Sequence, residues 1–258
     1  MIGCIIQARM GSSRLPGKVM KKVDEYDTVL DYVINQIKFS KKIEKIIVAT
    51  TNLAEDDTIC EHLMSNGIKF YRGSSEDVLD RYYNCAKKFS IDTIVRITAD
   101  NPLIDPDIVD LIIDEYTIHD CDFATNTLPR TFPYGTETEV FSFESLENAW
   151  KNAKKPSERE HVTPFIRNSE NEFKIINKKN QKDFSHIRYT IDHKEDLELV
   201  RAIIQNISVR PVLTQNIVDL YNRKSELFKI NSNVKHDGFE SSLKKDQQYL
   251  KSQKNKEV

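Results

Sequence analysis

The chain begins with an apolar run that leads into a loop rich in glycine, serine and positive charge. Residues 2–8 have the length and composition of a buried first strand. Glycines let backbone amides approach an anion, hydroxyls donate to it, and cations offset its charge. At the carboxyl end of a first strand this combination favours binding of a triphosphate; the alternative is an ordinary basic surface loop. The predicted phosphate-binding residues are Ala8, Arg9, Gly11, Ser12, Ser13, Arg14 and Lys18.

Two common phosphate-binding motifs do not fit this loop. A P-loop needs four residues between its glycines and a Ser or Thr after its lysine. Here five residues separate Gly11 from Gly17, and Val19 follows Lys18. The dinucleotide-binding pattern Gly-x-Gly-x-x-Gly is also absent from the sequence. The sequence therefore supports neither a P-loop NTPase nor a dehydrogenase.

Strand-like and helix-like segments alternate through the first half of the chain. This alternation predicts an α/β fold, with a Rossmann-like, mostly parallel sheet flanked by helices on both faces. Thr28 with Asp31 forms a variant capping box, and Asp105 before Pro106 starts another helix. The predicted strands are 2–8, 44–50, 68–72 and 93–98, and the predicted helices are 28–39, 55–66 and 76–89.

The pattern changes after about residue 120. Short strands are predicted at 122–126, 138–142, 173–177 and 187–191, with helices near 144–153 and 158–168. We interpret residues 120–185 as a small α+β insertion that supplies an acceptor pocket and a dimer contact. A single domain over residues 1–228 would then precede a polar extension, 229–258, with a helix near 239–250 and a frayed end.

Bulk properties exclude several classes of protein. The 258 residues include 38 Lys+Arg and 40 Asp+Glu, for a net charge of −2, which argues against a nucleic-acid protein that binds through overall charge. No apolar run reaches the ~18 residues of a membrane span, and the N-terminus lacks the features of a signal peptide. We therefore expect a cytoplasmic protein. The four cysteines and six histidines show no zinc-binding spacing.

Two aspartates follow predicted strands and are candidate metal ligands. Asp100 comes after the strand 93–98, and Asp192 after 187–191. Carboxylates at the carboxyl ends of strands point toward the ligand crevice, where with phosphate oxygens they suit Mg²⁺. For Asp192 the residues leave an alternative open, since it could cap a helix starting at His193 with Glu195 completing a capping box.

Five stretches carry a resemblance to a known family. The sequence is similar to the cytidylyltransferases that activate acidic sugars, such as CMP-sialate and CMP-KDO synthetases, and most similar to the spore-coat polysaccharide biosynthesis protein F branch. The stretches are Ala8-Arg-Met-Gly-Ser-Ser-Arg-Leu-Pro-Gly-Lys18, Arg72-Gly-Ser-Ser-Glu-Asp-Val-Leu-Asp-Arg-Tyr82, Val95-Arg-Ile-Thr-Ala-Asp-Asn-Pro-Leu-Ile-Asp105, Arg159-Glu-His-Val-Thr-Pro164 and Ile191-Asp-His-Lys-Glu-Asp-Leu-Glu198.

The resemblance implies a role for each part of the site. It implies CTP as co-substrate and Mg²⁺ bound by Asp100 and Asp192, with Arg14, Lys18 and Asp100 as the catalytic residues. Homodimerisation is a further, weaker implication. Thr136 or Glu137 stands where the family commonly has aspartate, which leaves the acceptor open. Arg81 and Tyr82 are interpreted as packing residues. The resemblance places Thr50, Arg72, Gly73 and Ser74 near the nucleoside, and Glu139, Arg159 and His161 near the acceptor.

The leading hypothesis is transfer of CMP to an acidic sugar or sugar phosphate, with release of pyrophosphate, in surface polysaccharide or glycan synthesis. The expected partners are a nucleoside triphosphate and a small sugar acceptor, with no nucleic acid or membrane. The alternative is a glycosyltransferase with a nucleotide-sugar donor, although residues 98–101 hold one aspartate instead of the Asp-x-Asp motif. A nucleotide-binding regulator is a third reading, and the pair Asp100 and Asp192 speaks against it.

Overall fold

A seven-stranded sheet forms the centre of the computed structural model, which describes residues 1–234 and 238–254. The strand order is β3-β2-β1-β4-β6-β5-β7. Strands β1 to β4 are parallel, and β6 is antiparallel to both β4 and β5. This mixed, mostly parallel sheet confirms the predicted α/β fold. The strands are β1 (Ile2–Gln7), β2 (Lys45–Thr51), β3 (Lys69–Gly73), β4 (Thr93–Thr98), β5 (Phe123–Thr125), β6 (Glu139–Ser142) and β7 (Ile175–Asn177).

Helices cover both faces of the sheet because side chains alternate along each buried strand. In β1, Cys4 and Ile6 pack in one apolar cluster with residues of α1, α2 and α4, while Ile5 packs in another with α3 and α5. The helices are α1 (Val29–Ile37), α2 (Asp57–Ser65), α3 (Val78–Phe89), α4 (Pro106–His119), α5 (Phe143–Asn152), α6 (Pro156–His161), α7 (Pro164–Arg167), α8 (Lys194–Asn206), α9 (Thr214–Arg223) and α10 (Gly238–Lys254).

Two helices begin as their capping residues predict. The Thr28 hydroxyl accepts from Asp31 N at 3.2 Å, and Asp31 accepts from Thr28 N at 2.9 Å, so the capping box of α1 is confirmed. The Asp105 carboxylate accepts from Asp107 N at 2.9 Å, with Pro106 as the first residue of α4. These caps fix the residue at which each helix begins, near the carboxyl edge of the sheet.

The second half of the chain extends the same sheet. Strand β6 pairs with β4, β5 pairs with β6, and β7 pairs with β5, so residues 120–185 supply a continuation of the central sheet. The predicted strand at 187–191 is wrong. This extended segment makes one isolated bridge, Tyr134 to Arg188, and Ile191 N donates to Asp100 O at 2.8 Å. It lies beside single loop residues, and without a partner strand it cannot form a ladder.

The polar extension packs against the rest of the chain. Helix α10, slightly longer than predicted, contacts α6: Asp246 accepts from Ser157 N at 2.8 Å, and Lys245 pairs with Glu160 at 3.0 Å. Of the end expected to fray, residues 255–258 lie outside the described residues. In the described part of the chain, no helix combines the length and apolar character needed to cross a membrane.

Candidate active site

The loop after β1 is held in a defined shape by its own backbone. Met10 N donates to the Asp56 carboxylate at 2.7 Å, and Met10 O accepts from Ser12 N at 2.8 Å and Gly17 N at 2.9 Å. Gly17 has φ +66°, which glycine adopts at no steric cost, and it starts a 3-10 turn at Lys18. Within the described residues no hydrogen bond uses the N–H of Gly11 or Ser13. Such amides are suited to bind an anion.

Lys18 joins the two predicted metal ligands. Its Nζ lies 3.0 Å from Asp100 Oδ2 and 3.1 Å from Asp192 Oδ1, and donates to Ile191 O at 2.6 Å. Burial alone would lower the pKa of the ammonium, but the charges of the two aspartates outweigh burial and raise it. The two carboxylates are far apart in sequence, and both form an ion pair with the Lys18 ammonium.

Asp192 is surrounded by cations. Its Oδ1 also accepts from Arg14 Nη2 at 2.6 Å, and its Oδ2 accepts from Arg188 Nη2 at 3.0 Å. Burial opposes ionisation of this carboxyl, but the charge of Lys18 and the bond from Arg188 exceed that effect and hold its pKa well below the usual range. The carboxylate is therefore ionised at neutral pH.

The helix-cap alternative for Asp192 is overturned by its neighbour Asp196. Helix α8 begins at Lys194, and Asp196 Oδ2 accepts from the backbone N–H groups of Asp192 and His193, both at 2.9 Å. Asp196 therefore accepts the hydrogen bonds at the start of α8. The Asp192 side chain is not the cap and pairs with the cations instead.

One cavity of about 520 Å³ collects most of the predicted residues. It lies at the carboxyl ends of β1 and β4, where an open α/β sheet binds its ligands, and its volume is in the range of small-molecule sites. Gln7, Thr98 and Arg96 line it in addition to the predicted residues. The predicted residues that line it are Ala8, Arg9, Ser12, Ser13, Arg14, Lys18, Asp100, His161 and Asp192.

Five of the residues predicted for the nucleotide do not line this cavity, and Arg72 and Thr50 are two of them. Arg72 donates to Thr51 O and Leu53 O, both at 2.9 Å, and pairs with Asp57 at 2.6 Å. It therefore stabilises the segment that follows β2. Thr50 is fully buried, and its hydroxyl has no hydrogen-bond partner among the described residues.

The predicted glycines act through close packing. Gly11 does not line the cavity, and a Cβ there would fall 2.8 Å from Glu55 Oε1. Gly73 and Ser74 contact Arg81: a Cβ on Gly73 would lie 3.0 Å from Arg81 Cγ, and Ser74 O accepts from Arg81 Nη1 at 2.8 Å. Arg81, interpreted from sequence as a packing residue, is thereby held beside the loop.

Arg159, predicted to bind the acceptor, is engaged by residues of α3 and α5. Its guanidinium pairs with Asp77, the cap of α3, and donates to Trp150 O at 2.8 Å. It lines neither the central cavity nor the one next to it. Its donors hold α6 against α3 and α5, and its role at the acceptor stays a prediction.

Glu139 lines a second cavity of about 380 Å³, which shares Arg96 and Thr98 with the first. Glu139 Oε2 accepts from Arg96 Nη1 at 2.6 Å, and Arg167 lies 3.6 Å from its Oε1. Arg130 also lines this cavity and pairs with Glu137 at 2.7 Å. Three guanidinium groups against two carboxylates make this side of the site net positive.

His161 links the site to the C-terminal helix. Its Nε2 lies 2.8 Å from the hydroxyl of Ser242 on α10, and Ser242 donates to Glu160 at 3.1 Å. Burial, together with the positive charge of Arg96, lowers the pKa of His161, so the ring is neutral at pH 7. The wall that α6 contributes to the cavity is thus supported by residues of the polar extension.

Sequence reasoning missed Arg96 as a site residue. It lies in the middle of a strand predicted to be buried. A charged side chain is rarely buried without a partner or a ligand, so this position could have indicated a site residue. Arg81, on the buried face of α3, carried the same signal.

A mostly parallel sheet, with a basic glycine loop facing two carboxylates at its carboxyl edge, is typical of nucleotide-binding α/β proteins. Comparison with known proteins narrows this class. The profile of the cytidylyltransferase family matches residues 3–227. The chain belongs to the cytidylyltransferase family, as its motifs predicted.

Individual relatives agree with this assignment. The chain is 32% identical to spore coat polysaccharide biosynthesis protein SpsF of Bacillus subtilis, over 86% of this chain and 94% of that protein. A solved cytidylyltransferase structure from Leptospira borgpetersenii is 36% identical, covers 91% of this chain and 99% of its own, and superposes with a TM-score of 0.85. A CMP-KDO synthetase solved with CTP has the same fold, at 18% identity and a TM-score of 0.61, over 80% of this chain and 98% of its own.

Proposed function

We propose that this protein transfers CMP from CTP to a sugar or sugar-phosphate acceptor and releases pyrophosphate, in the synthesis of a surface polysaccharide or glycan. The observation that carries the proposal is the convergence of Lys18, Asp100 and Asp192 in the cavity bounded by the glycine loop. Membership of the cytidylyltransferase family supports cytosine as the base of the nucleotide. The similarity to a spore coat polysaccharide protein supports a role in polysaccharide synthesis.

The reaction forms one bond and breaks another at the α-phosphorus. An acceptor oxygen bonds to this phosphorus, the bond to the leaving pyrophosphate breaks, and the acceptor loses its proton. The amide of Ser13, with Arg14 and Lys18, would bind the β- and γ-phosphates and stabilise charge on the leaving group. The positive second cavity, with Arg130 and Arg167, would bind an acidic acceptor.

The carboxylates of Asp100 and Asp192 fit a magnesium ion. Both already share one cation, the Lys18 ammonium, and Mg²⁺ is commonly held by one or two carboxylates together with substrate phosphates. No cluster of three or more His, Cys, Asp or Glu side chains in residues 1–234 and 238–254 offers a different metal site. When bound there, Mg²⁺ would neutralise charge that develops on the phosphates.

Pyrophosphate release tests the proposal. The protein is incubated with CTP, Mg²⁺ and a panel of acidic sugars and sugar phosphates. We expect release that depends on both CTP and one acceptor, and loss of about 100-fold or more in Asp100→Asn. Asp107→Asn, at an exposed position in the first turn of α4, serves as the matched control.

Two results would contradict the proposal. Stabilisation by CTP with no release from any acceptor would indicate a nucleotide-binding regulator. Stabilisation by nucleotide sugars alone, with none by any triphosphate, would indicate a glycosyltransferase.

A further inference from the structure

His161 is the last residue of α6 and lies in the wall of the central cavity. Asp100 and Asp192 line the same cavity. Two residues further along the chain, the Thr163 hydroxyl donates to Glu139 Oε1 at 3.0 Å, and Glu139 lines the second cavity. His161 therefore lies in the cavity of the two aspartates, next to a segment that reaches the cavity proposed for the acceptor.

The backbone directly after His161 is strained. Val162 has φ +71° and ψ −54°, and Thr163 N donates to His161 O at 2.8 Å, which is the geometry of the rare γ-turn. A β-branched residue is unfavourable in this conformation, and such strain is concentrated at functional sites. The Val162 side chain is fully buried in an apolar cluster with residues of α3 and α5. Packing therefore maintains a strained turn at the position that orients His161.

Hydrogen bonds to α10 indicate which nitrogen of the His161 ring carries the hydrogen. Ser242 is fully buried and donates its single hydroxyl hydrogen to Glu160 Oε2 at 3.1 Å. Burial opposes ionisation of Glu160, but the hydrogen bond from Lys245 to the same oxygen outweighs it and lowers the pKa. Because an ionised carboxylate only accepts, His161 Nε2 is the donor in its 2.8 Å contact with the Ser242 hydroxyl. In the neutral ring, Nδ1 then holds the lone pair.

The charges that face the His161 ring come from four elements. Burial lowers the pKa of His161, and the positive charges of Arg96 on β4 and Lys245 on α10 lower it further. Glu160 on α6 and Glu139 on β6 act in the opposite direction. Two further cations share a smaller cavity with the ring, Arg9 and Arg81. The ring is therefore neutral at pH 7, with two carboxylates nearby to offset the charge of an added proton.

We propose that His161 is the catalytic base of the transfer, with Ser242 and Glu160 as its positioning residues. This inference rests on the proposed function. The acceptor hydroxyl gives its proton to Nδ1 while its oxygen bonds to the α-phosphorus. The bond from this phosphorus to the pyrophosphate oxygen breaks, and the pyrophosphate leaves with the electron pair.

The positioning residues act on the other side of the ring. The Nε2–H group donates to Ser242, which donates to Glu160, so this chain of hydrogen bonds stabilises the imidazolium until it gives the proton to water. Ser242 belongs to α10, which lies outside residues 3–227 matched by the family profile. The base is thus oriented by a part of the chain that the profile does not include.

The tautomer of His161 tests the inference in the wild-type protein without substrate. NMR of the ring nitrogens at neutral pH distinguishes a hydrogen on Nε2 from one on Nδ1. We expect the neutral ring to carry it on Nε2. A neutral ring with the hydrogen on Nδ1, or a ring that is charged at pH 7, would overturn the inference.

Steady-state kinetics of His161→Gln test the proton transfer. Glutamine keeps a polar side chain and cannot take the proton. Loss of a general base lowers the rate by about 100-fold or more, so we expect a fall of this size in kcat with little change in the KM for CTP. A kcat within about threefold of wild type, or a loss confined to the KM of the acceptor, would show that His161 only binds and would overturn the inference.

The pH profile of Ser242→Ala tests the positioning residues. The variant loses one hydrogen bond to the ring and the link to Glu160, so we expect kcat to fall about fivefold to tenfold. Without this link the imidazolium is less stable, and the acidic limb of the kcat profile should move to lower pH. The control Ser252→Ala, at an exposed position on α10, should keep the wild-type profile. An unmoved limb in Ser242→Ala would refute the positioning role, and if His161→Gln does not fold, this profile and the tautomer decide.

The two proposals fail in different ways. Pyrophosphate release that occurs only with phosphate acceptors, whose oxygen is already deprotonated, would refute the base and leave the proposed function standing. Absence of release from CTP with every acceptor would refute both.

Discussion

Replacing Lys18 by methionine should destabilise the protein even without substrate. The substitution keeps most of the apolar side chain and removes the ammonium that lies between Asp100 and Asp192. The two carboxylates then repel each other with one fewer cation to offset their charge. The expected loss follows from how deeply the three groups are buried.

Removing one partner from a fully buried ion pair costs about 3–5 kcal/mol. The side chains here are 12% exposed for Lys18, 17% for Asp192 and 27% for Asp100, so solvent weakens the repulsion. Asp192 also keeps Arg14 and Arg188. We therefore expect a loss of about 2 kcal/mol in the free energy of unfolding, which lowers Tm by roughly 4–8 °C in a chain of this size.

Thermal unfolding of Lys18→Met, with and without Mg²⁺, measures this effect. The control Lys69→Met changes an exposed residue at the start of β3 and should stay within about 0.5 kcal/mol of wild type. If the carboxylates form the metal site, Mg²⁺ alone should raise the Tm of Lys18→Met more than that of wild type. A Tm equal to wild type would refute the electrostatic argument, and equal Mg²⁺ shifts in both proteins would refute the metal site.

Three further substitutions test the walls of the site. Asp246→Ala leaves the backbone N–H of Ser157 buried without its acceptor and should cost about 1–3 kcal/mol in a denaturant melt, whereas the exposed Gln247→Ala should be neutral. Glu139→Ala leaves its arginine partner buried and unpaired, so we expect a loss of about 3–5 kcal/mol; a smaller loss than in Asp246→Ala would contradict the pairing. Because burial holds the pKa of His161 below its unfolded value of about 6.5, protons bind the unfolded chain more readily. Stability should decline as the pH falls below that value, and His161→Gln should decline less over the same range.

Local patterns in the sequence were sufficient for the first half of the fold. The strands β1, β2, β3 and β4 and the helices between them lie within a few residues of their predicted positions. Alternating and 3.6-residue periodicities report which face of an element is buried, and caps such as Thr28 report where a helix starts. Neither signal requires knowledge of which other segment of the chain the element packs against.

The segment at 187–191 shows where such reasoning ends. It has the composition of a strand, but a strand also needs a neighbour with free backbone groups over several residues. Backbone hydrogen bonds join this segment to isolated residues such as Tyr134 and Asp100, with no paired strand beside it in the described part of the chain. Whether an apolar segment pairs with a neighbouring strand depends on the path of the rest of the chain.

The sequence by itself determined the class of fold, the basic glycine loop and the presence of two aspartates after strand-like runs. Tertiary structure alone decided that Lys18 meets Asp192 across 174 positions, that Arg159 is engaged by Asp77, and that α10 supports His161. Burial and charge pairing depend on residues distant in sequence, and no local periodicity encodes which of them will come into contact.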